Sequence, residues 1–210
     1  MSACARCSAP LSSALVCEAC GALVAGADGR DPFAVFGLPV AYPLDAAALR
    51  KRLLRLSRHV HPDFHGGADA ATRELAAHHS AELNAAHDTL GDDASRADHL
   101  VRRLGGPDEQ KERAMPQAFL LEVLEWNETL EAARHAAPGT PERAALTALG
   151  LDLAAQRREQ MNAIARTLDP LPADGAPALA DVRRALNAVR YIDRATGEIA
   201  ELSLGVTHPR

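Results

Sequence analysis

Residues 45–63, DAAALRKRLLRLSRHVHPD, predict a single helix with two different faces. Asp45 is a suitable N-cap, and Pro62 ends the helix because its ring clashes with a continuing helical backbone. Apolar residues at spacings of 4, 3 and 4 form a stripe that we expect to be buried: Leu49, Leu53, Leu56 and Val60. No acid between 46 and 62 neutralises the remaining cationic face, which contains Arg50, Lys51, Arg52, Arg55, Arg58 and His59.

Further helical signals flank this segment on both sides. Asp31 and Pro32 predict the start of a short helix, which Gly37 ends. Asp69 follows a Gly-Gly turn and is the predicted N-cap of a long helix that reaches about Leu90. Taken alone, a basic helix face is usually only solvated, and a His-Pro-Asp segment only stops a helix and starts an Asx turn. In combination, these signals predict a helical hairpin with His-Pro-Asp in its connection.

The short helix and the hairpin together resemble a J domain. Residues 31–39, DPFAVFGLP, are similar to the opening helix of that domain in the HscB co-chaperones. Residues 83–90, LNAAHDTL, are similar to the end of its third helix, and residues 96–100, RADHL, to the short helix that follows. Many J domains have Lys directly after the loop aspartate, whereas Phe64 and His65 stand here, which weakens the expectation of a cationic contact at this position.

The resemblance implies a partner for the hairpin. In the family, the His-Pro-Asp loop and the second helix dock on an ATP-driven heat-shock chaperone and stimulate its ATP hydrolysis. By this resemblance the trigger residues are His61, Pro62 and Asp63. The implied docking charges are Arg50, Lys51, Arg52, Arg55 and Arg58.

All the cysteines lie in the first 20 residues, as two Cys-x-x-Cys pairs: Cys4, Cys7, Cys17 and Cys20. Two such knuckles can supply the four thiolates of a tetrahedral zinc site, and a closed four-cysteine shell is structural and not catalytic. We therefore expect one zinc ion per chain. Because so short a segment has almost no apolar core of its own, metal binding would have to drive its folding. Two disulfides, idle thiols, an iron-sulfur cluster or a redox pair are the alternatives. The segment also resembles the zinc-binding extension of HscB proteins from mitochondria and some bacteria.

The second half of the chain predicts three helices, after a boundary at residues 105–107, Gly-Gly-Pro, and a charged stretch to Arg113. The first runs from near Pro116 to about Arg134. The second has Thr140 as its N-cap, reaches about Leu168 and is softly interrupted at Gly150; the third runs from about residue 178 to about residue 202. Short proline-containing connections between helices of this length indicate an antiparallel bundle.

The first of these helices carries two apolar faces. A core stripe at spacings of 4, 3, 4 and 3 contains Phe119, Val123, Trp126, Leu130 and Ala133. Leu120, Leu121 and Leu124 point about 150° away, on the side of several glutamates. Such a patch rimmed by carboxylates is typical of a protein-binding surface, although the leucines could instead meet another part of the same chain. Tyr191 points away from the inner stripe of the last helix and is a weaker contact candidate.

Residues 118–125, AFLLEVLE, and residues 189–194, VRYIDR, extend the resemblance to the HscB family across the second half. The first segment is similar to the part of HscB that holds the iron-sulfur scaffold protein IscU, and the aromatic position of the second also faces the scaffold. The scaffold contacts that this implies are Leu120, Leu121, Leu124, Glu125, Glu128 and Tyr191.

The sequence as a whole predicts an all-α protein with a cysteine module and connector at 1–30, a J domain at 31–106 and a three-helix bundle at 113–205. Aromatic residues are only 3% of the chain, which disfavours a β fold, and the net charge of -5 gives no general attraction to nucleic acid. No apolar run has the roughly 20 residues that a membrane-spanning helix needs. Without an evident export signal or transit peptide, we expect a cytoplasmic protein if bacterial, or a matrix protein if mitochondrial.

By resemblance, the expected function is that of a non-enzymatic adaptor. The bundle would bind an IscU-like scaffold, and the J domain would deliver it to an HscA-like chaperone, stimulate the ATPase of that chaperone and promote cluster transfer. The main alternative is a general J protein for unfolded clients. A metal-dependent hydrolase is a remote alternative that would use some of the histidines His59, His61, His65, His78 and His79. A nucleic-acid role for the knuckles is weakened because no basic run lies near them.

Overall fold

The computed structural model describes residues 3–26, 29–109 and 115–204, and these ranges contain helices but no β-strand. The predicted all-α fold class is therefore confirmed. Two isolated β-bridges, Ala3 with Pro10 and Val16 with Leu23, lie in the cysteine module. The helices are α1 (Pro32–Phe36), α2 (Ala46–Val60), a 3-10 helix (Pro62–His65), α3 (Ala70–Gly91), α4 (Asp93–Arg103), α5 (Gln117–Arg134), α6 (Pro141–Leu168) and α7 (Ala178–Ser203).

Side-chain caps fix the starts of the first helices at the predicted residues. The Asp31 carboxylate accepts hydrogen bonds from the backbone N–H groups of the first turn of α1, and Asp45 does the same for α2. Asp69 accepts from the backbone N–H of Thr72 at the start of α3, at 2.7 Å. Gly37 ends α1 in the left-handed conformation, with φ of 61°.

Two details of α6 differ from the sequence prediction. Thr140 precedes the helix as predicted, but its side chain makes no capping hydrogen bond, so the start depends on the proline that follows. The predicted interruption at Gly150 is wrong, because the helix is continuous there. Contacts with α7 hold α6 on both sides of the glycine: Arg143 donates to the carbonyl of Leu202 at 2.8 Å, and Arg157 pairs with Asp193 at 2.6 Å.

The chain forms two compact units, Met1–Arg96 and Ala97–Arg210. The domain limits expected from the sequence, 1–30, 31–106 and 113–205, stay predictions. The charged linker to Arg113 and residue 205 fall on residues 110–114 and 205–210, which lie outside the described residues.

The first unit has its core between α1 and the hairpin of α2 and α3. Phe33, Phe36 and Leu56 are almost completely buried there, together with Leu83 and Leu90 of α3. Of the predicted stripe on α2, only Leu53 is partly exposed. The hairpin therefore buries its apolar faces and turns the cationic face of α2 outward.

The second unit contains the bundle of α5, α6 and α7. Trp126 and Leu130 of α5 pack with Leu146 and Leu153 of α6 and with Ile192 of α7. The contacts of Arg143 and Arg157 show that α6 and α7 are antiparallel, as the short connection predicts. No helix in the described ranges combines the length and the apolar character that crossing a bilayer requires.

Candidate functional site

The His-Pro-Asp segment forms an exposed tip of the first unit. His61 ends α2 in an extended conformation, and Pro62 opens the 3-10 helix. The side chains of His61 and Asp63 are 47% and 85% exposed, and the Nδ1 atom of His61 accepts a hydrogen bond from the backbone N–H of Asp63 at 3.3 Å. The tip therefore presents an imidazole and a carboxylate to solvent from a short, folded turn.

Neighbouring residues hold this turn in place. The Nε2 atom of His65 lies 2.8 Å from the carbonyl oxygen of His59, in the last turn of α2. Phe64, directly after the aspartate, is 68% exposed, and its ring stands edge-on to His61 with centroids 6.4 Å apart. An exposed aromatic ring therefore occupies the position where many J domains have a cation.

The cationic face of α2 is narrower in the structure than the sequence predicts. Arg50, Lys51 and Arg58 are exposed, as is the apolar side chain of Leu54 among them. Leu54 lines a groove of about 460 Å³ with basic side chains on its edges. The helical spacing already places Leu54 outside the buried stripe, and therefore indicates an exposed apolar side chain on α2. The prediction of contact residues from the sequence does not include it.

An acid from the cysteine module neutralises part of this face. The carboxylate of Glu18 lies 3.2 Å from the guanidinium of Arg52 and 2.7 Å from that of Arg55. Partial burial raises the pKa of Glu18, but the Ser12 hydroxyl and the two arginines lower it more, so the pKa lies below its ordinary value and the carboxylate is charged at pH 7. Arg52 is only 15% exposed, so it faces the module more than it faces solvent.

The four cysteines converge as the predicted metal site requires. Their sulfur atoms all lie within 4.8 Å of one another, with 3.7 Å between Cys4 and Cys20 and 3.6 Å between Cys7 and Cys17. All four are free thiols, and a tetrahedral metal with bonds of about 2.3 Å separates its sulfur ligands by about 3.8 Å. Backbone N–H groups of Cys7 and Arg6 lower the pKa of the Cys4 thiol to about 6. The backbone N–H of Ala9 lowers the pKa of Cys7, but the hydrogen bond with Cys20 and burial raise it more, to about 12, so without a metal the thiolate forms first at Cys4. The residues therefore fit a metal ion.

The three predicted leucines lie on the surface of α5. Leu120, Leu121 and Leu124 are 42%, 54% and 57% exposed, beside the exposed acids Glu125 and Glu128. Their exposure contrasts with Trp126 and Leu130 of the same helix, which are buried in the bundle. The structure thus separates the two apolar faces of α5 as the helical periodicity predicts.

Tyr191 belongs to the same region of the second unit. It is 41% exposed, and its ring is edge-on to Phe119 of α5 with centroids 5.7 Å apart. Phe119 in turn contacts the ring of Trp126 at 5.6 Å, so an aromatic chain connects Tyr191 to the core. Sequence reasoning assigned Phe119 to the core alone, because helical spacing does not show that a ring from α7 lies beside it.

Basic residues border Tyr191 on α7. Arg190 and Arg194 line a groove of about 330 Å³ beside it. Arg190 is ion-paired with Glu109 and lies 3.7 Å from the Asp98 carboxylate. The apolar patch therefore has acidic neighbours on α5 and basic ones on α7.

Similarity to known proteins identifies the family. A co-chaperone protein HscB homolog from Ralstonia nicotianae (strain ATCC BAA-1114 / GMI1000) is 37% identical over 170 residues, which are 79% of this chain and 92% of that protein. The chain belongs to the HscB co-chaperone family. An HscB homolog from Bordetella avium (strain 197N) is 36% identical over 172 residues, 81% of this chain and 95% of that protein. A family model described as the HSCB C-terminal oligomerisation domain matches residues 115–200.

Solved HscB structures show the same fold. The crystal structure of human HscB matches 97% of this chain and 100% of its own, with a TM-score of 0.76 and 24% identity. HscB from Vibrio cholerae matches 85% of this chain and 100% of its own, with a TM-score of 0.70 and 24% identity. The resemblance predicted from the sequence is confirmed, and membership of the HscB family supports a co-chaperone role for this chain.

Proposed function

We propose that the chain is a non-enzymatic adaptor that binds an IscU-like iron-sulfur scaffold and delivers it to an HscA-like ATP-driven chaperone, whose ATPase it stimulates. The observation that carries this proposal is the pair of exposed surfaces, one in each unit. The first unit presents His61 and Asp63 beside a cationic helix, and the second presents the three leucines of α5.

The first surface suits a short-lived contact. Exposed charges such as Arg50, Lys51 and Arg58 steer association and fix orientation more than they add affinity. Their effect extends over about 8 to 10 Å at physiological salt. A chaperone that must leave in each cycle is therefore well served by this face, with His61 and Asp63 as the residues that trigger hydrolysis.

The second surface suits a folded protein partner. An apolar patch with charged residues around it is the usual composition of a protein-binding surface. Leu120, Leu121, Leu124 and Tyr191 would bury their exposed side chains against the scaffold, and Glu125 and Glu128 would contact polar groups at the edge. Joining both surfaces in one chain raises the local concentration of scaffold beside the chaperone, so each contact can be weak.

The metal that we propose for the four cysteines is zinc, one ion per chain. Zinc takes four thiolates in a tetrahedral arrangement with no geometric strain, and the 3.6 and 3.7 Å sulfur separations suit it. With Cys4, Cys7, Cys17 and Cys20 as ligands the coordination shell is closed, so the ion supplies folding energy to the module and no chemistry. The relatives at 36–37% identity come from bacteria, and we place the protein in the cytoplasm with its partners.

Two variants test the adaptor. We expect His61→Gln to abolish stimulation of the HscA-like ATPase while calorimetric affinity for the folded IscU-like scaffold stays unchanged. We expect Leu120→Ala combined with Leu124→Ala to weaken scaffold binding at least tenfold. Stimulation of the HscA-like ATPase by this variant, measured without scaffold, should be unchanged. The double variant should keep its helical circular dichroism, since exposed leucines contribute little to the fold.

Two results would contradict the proposal. Loss of both activities in either variant would show that the two surfaces do not act separately. Tighter binding to a denatured reporter than to the folded scaffold would favour the general J protein that presents unfolded clients.

A further inference from the structure

The cysteine module is packed onto the helices of the first unit. The Ser13 hydroxyl donates to the carbonyl of Val35 at 2.7 Å, and the backbone N–H of Ala14 donates to the carbonyl of Ala34 at 3.0 Å. The next two side chains, Leu15 and Val16, are completely buried. The module is therefore a fixed part of this unit, and its two hydrogen bonds to α1 give it one position.

A glycine permits the close approach of the module to α1. Gly37 has φ of +61°, and a Cβ atom added there would lie 1.7 Å from the backbone oxygen of Ser12. Neither the conformation nor the space admits a side chain. Ser12 therefore reaches the end of α1, next to the first turns of α2.

Arg52 of α2 lies in this contact. Its guanidinium donates to the carbonyl oxygens of Ser12, at 2.6 Å, and of Phe36, and it pairs with Glu18 at 3.2 Å. Two backbone carbonyls and a carboxylate thus hold the guanidinium, and only 15% of the side chain is exposed. A partner that docks on α2 meets little of this arginine.

Arg55 is a different case, because it is 59% exposed and still pairs with Glu18 at 2.7 Å. The same carboxylate accepts a hydrogen bond from the Ser12 hydroxyl, so the acid is held on its module side as well. Glu18 itself is 19% exposed. It follows Cys17 directly and lies between the two cysteines of the second pair, so the turn of that knuckle sets its position.

From these contacts we propose that Glu18 is a specificity-determining residue for chaperone docking. The cysteine module binds the Arg52 guanidinium so that a partner can reach little of it, and Glu18 partly neutralises the charge of Arg55. The chaperone therefore docks mainly on Arg50, Lys51 and Arg58. This inference rests on the proposed function. One carboxylate beside two guanidinium groups lowers the local positive potential where an acidic partner would approach. A fixed acid on the side of α2 that faces the cysteine module also restricts the direction from which that partner docks.

Glu18→Gln tests the inference, because the amide keeps the shape and the contact with Ser12 but removes the charge. At low salt we expect the association rate with the HscA-like chaperone to rise about two- to fivefold and to fall more steeply with added salt. Scaffold affinity and the metal content should not change. The matched control is Glu74→Gln, which removes an exposed acid of α3 and changes the net charge of the chain equally.

A double-mutant cycle makes the test specific to Arg55. Arg55→Gln should slow association only slightly in the wild-type background and at least twofold more in the Glu18→Gln background, where the arginine is released. The inference is overturned if Glu18→Gln and Glu74→Gln give equal association rates, or if the effect of Arg55→Gln does not depend on Glu18. In either case the proposed function still stands as long as His61→Gln abolishes ATPase stimulation. If the wild-type chain neither binds nor stimulates the chaperone, the proposed function fails first and this inference fails with it.

Discussion

His79 shows how one buried side chain can give the first unit a dependence on pH. Its ring lies on α3 with no exposed area, beside Arg30, His78 and Glu82. Burial lowers the pKa of His79 most, and the Arg30 guanidinium and the neighbouring His78 also lower it, whereas Glu82 and a backbone hydrogen bond with Leu15 raise it; the net result is a pKa of about 4. The imidazole is therefore neutral at pH 7 in the folded protein.

Unfolding changes the protonation of His79 in a defined window. The unfolded residue has an ordinary pKa near 6.5, so between pH 6.5 and about 4 the unfolded state binds more protons than the folded state. The contribution of His79 to the free energy of unfolding is therefore fully present above pH 6.5. It is lost as the pH falls through this window, and the loss is up to about 3 kcal/mol.

We predict that His79→Phe removes this pH dependence, because phenylalanine fills a similar volume and does not titrate. Urea unfolding between pH 4.5 and 7.5 measures the free energy of unfolding of both chains. As the pH falls, the free energy of unfolding of the variant should increase relative to that of the wild type. Loss of metal from the thiolates affects both proteins equally, so it cancels when their free energies of unfolding are subtracted. His78→Gln, at the half-exposed neighbour, is the control; a constant difference for His79→Phe would contradict the prediction.

At the scale of the helices, local signals specify where elements begin and end. Asp31, Asp45 and Asp69 stand at the N-caps of α1, α2 and α3 because their carboxylates reach backbone groups two or three residues away. Such contacts are readable from spacing alone. The continuity of α6 through Gly150 was not readable, because it depends on α7, whose contacts lie 36 or more residues away along the chain.

Gly150 should therefore be a site where α6 can be strengthened. Its Cβ position lies 3.7 Å from the Cγ2 atom of Ile199, an ordinary contact distance, and its backbone is helical. Gly150→Ala should raise the free energy of unfolding by about 0.5 to 1 kcal/mol, because alanine loses less backbone entropy in a helix. Thermal or urea unfolding of the variant measures the change.

Gly37→Ala is the matched control for the alanine at Gly150. The same chemical change should destabilise the chain there, since Gly37 has a positive φ and no space for a Cβ atom. A loss of stability in Gly150→Ala would show that α6 depends on the glycine for its packing against α7.

At the scale of the whole molecule, long-range ion pairs are what the sequence does not reveal. Glu18 meets Arg52 and Arg55 across more than 30 residues, and Arg183, completely buried, pairs with Asp98 across 85. The local pattern of α2 correctly shows that no acid of its own neutralises the basic face, yet tertiary folding brings one from the cysteine module. The candidate metal ligands and exposed leucines were predictable because paired cysteines and helical phase are local, whereas the environment of Arg52 was not.

Metal removal is the perturbation that tests how this module is coupled to the rest of the chain. The only large apolar side chains between Cys4 and Cys20 are Leu11, Leu15 and Val16, so without its metal we expect the segment to unfold and to release its hydrogen bonds to α1. Hydrogen exchange after chelation should show lost protection at the backbone N–H of Ala14, which donates to Ala34, while the amides of α7 stay protected as an internal control. Elemental analysis should find one zinc per chain before chelation and none in a Cys4→Ser, Cys17→Ser double variant. Unchanged protection of Ala14 in metal-free protein would mean that Leu15 and Val16 hold the module without the ion.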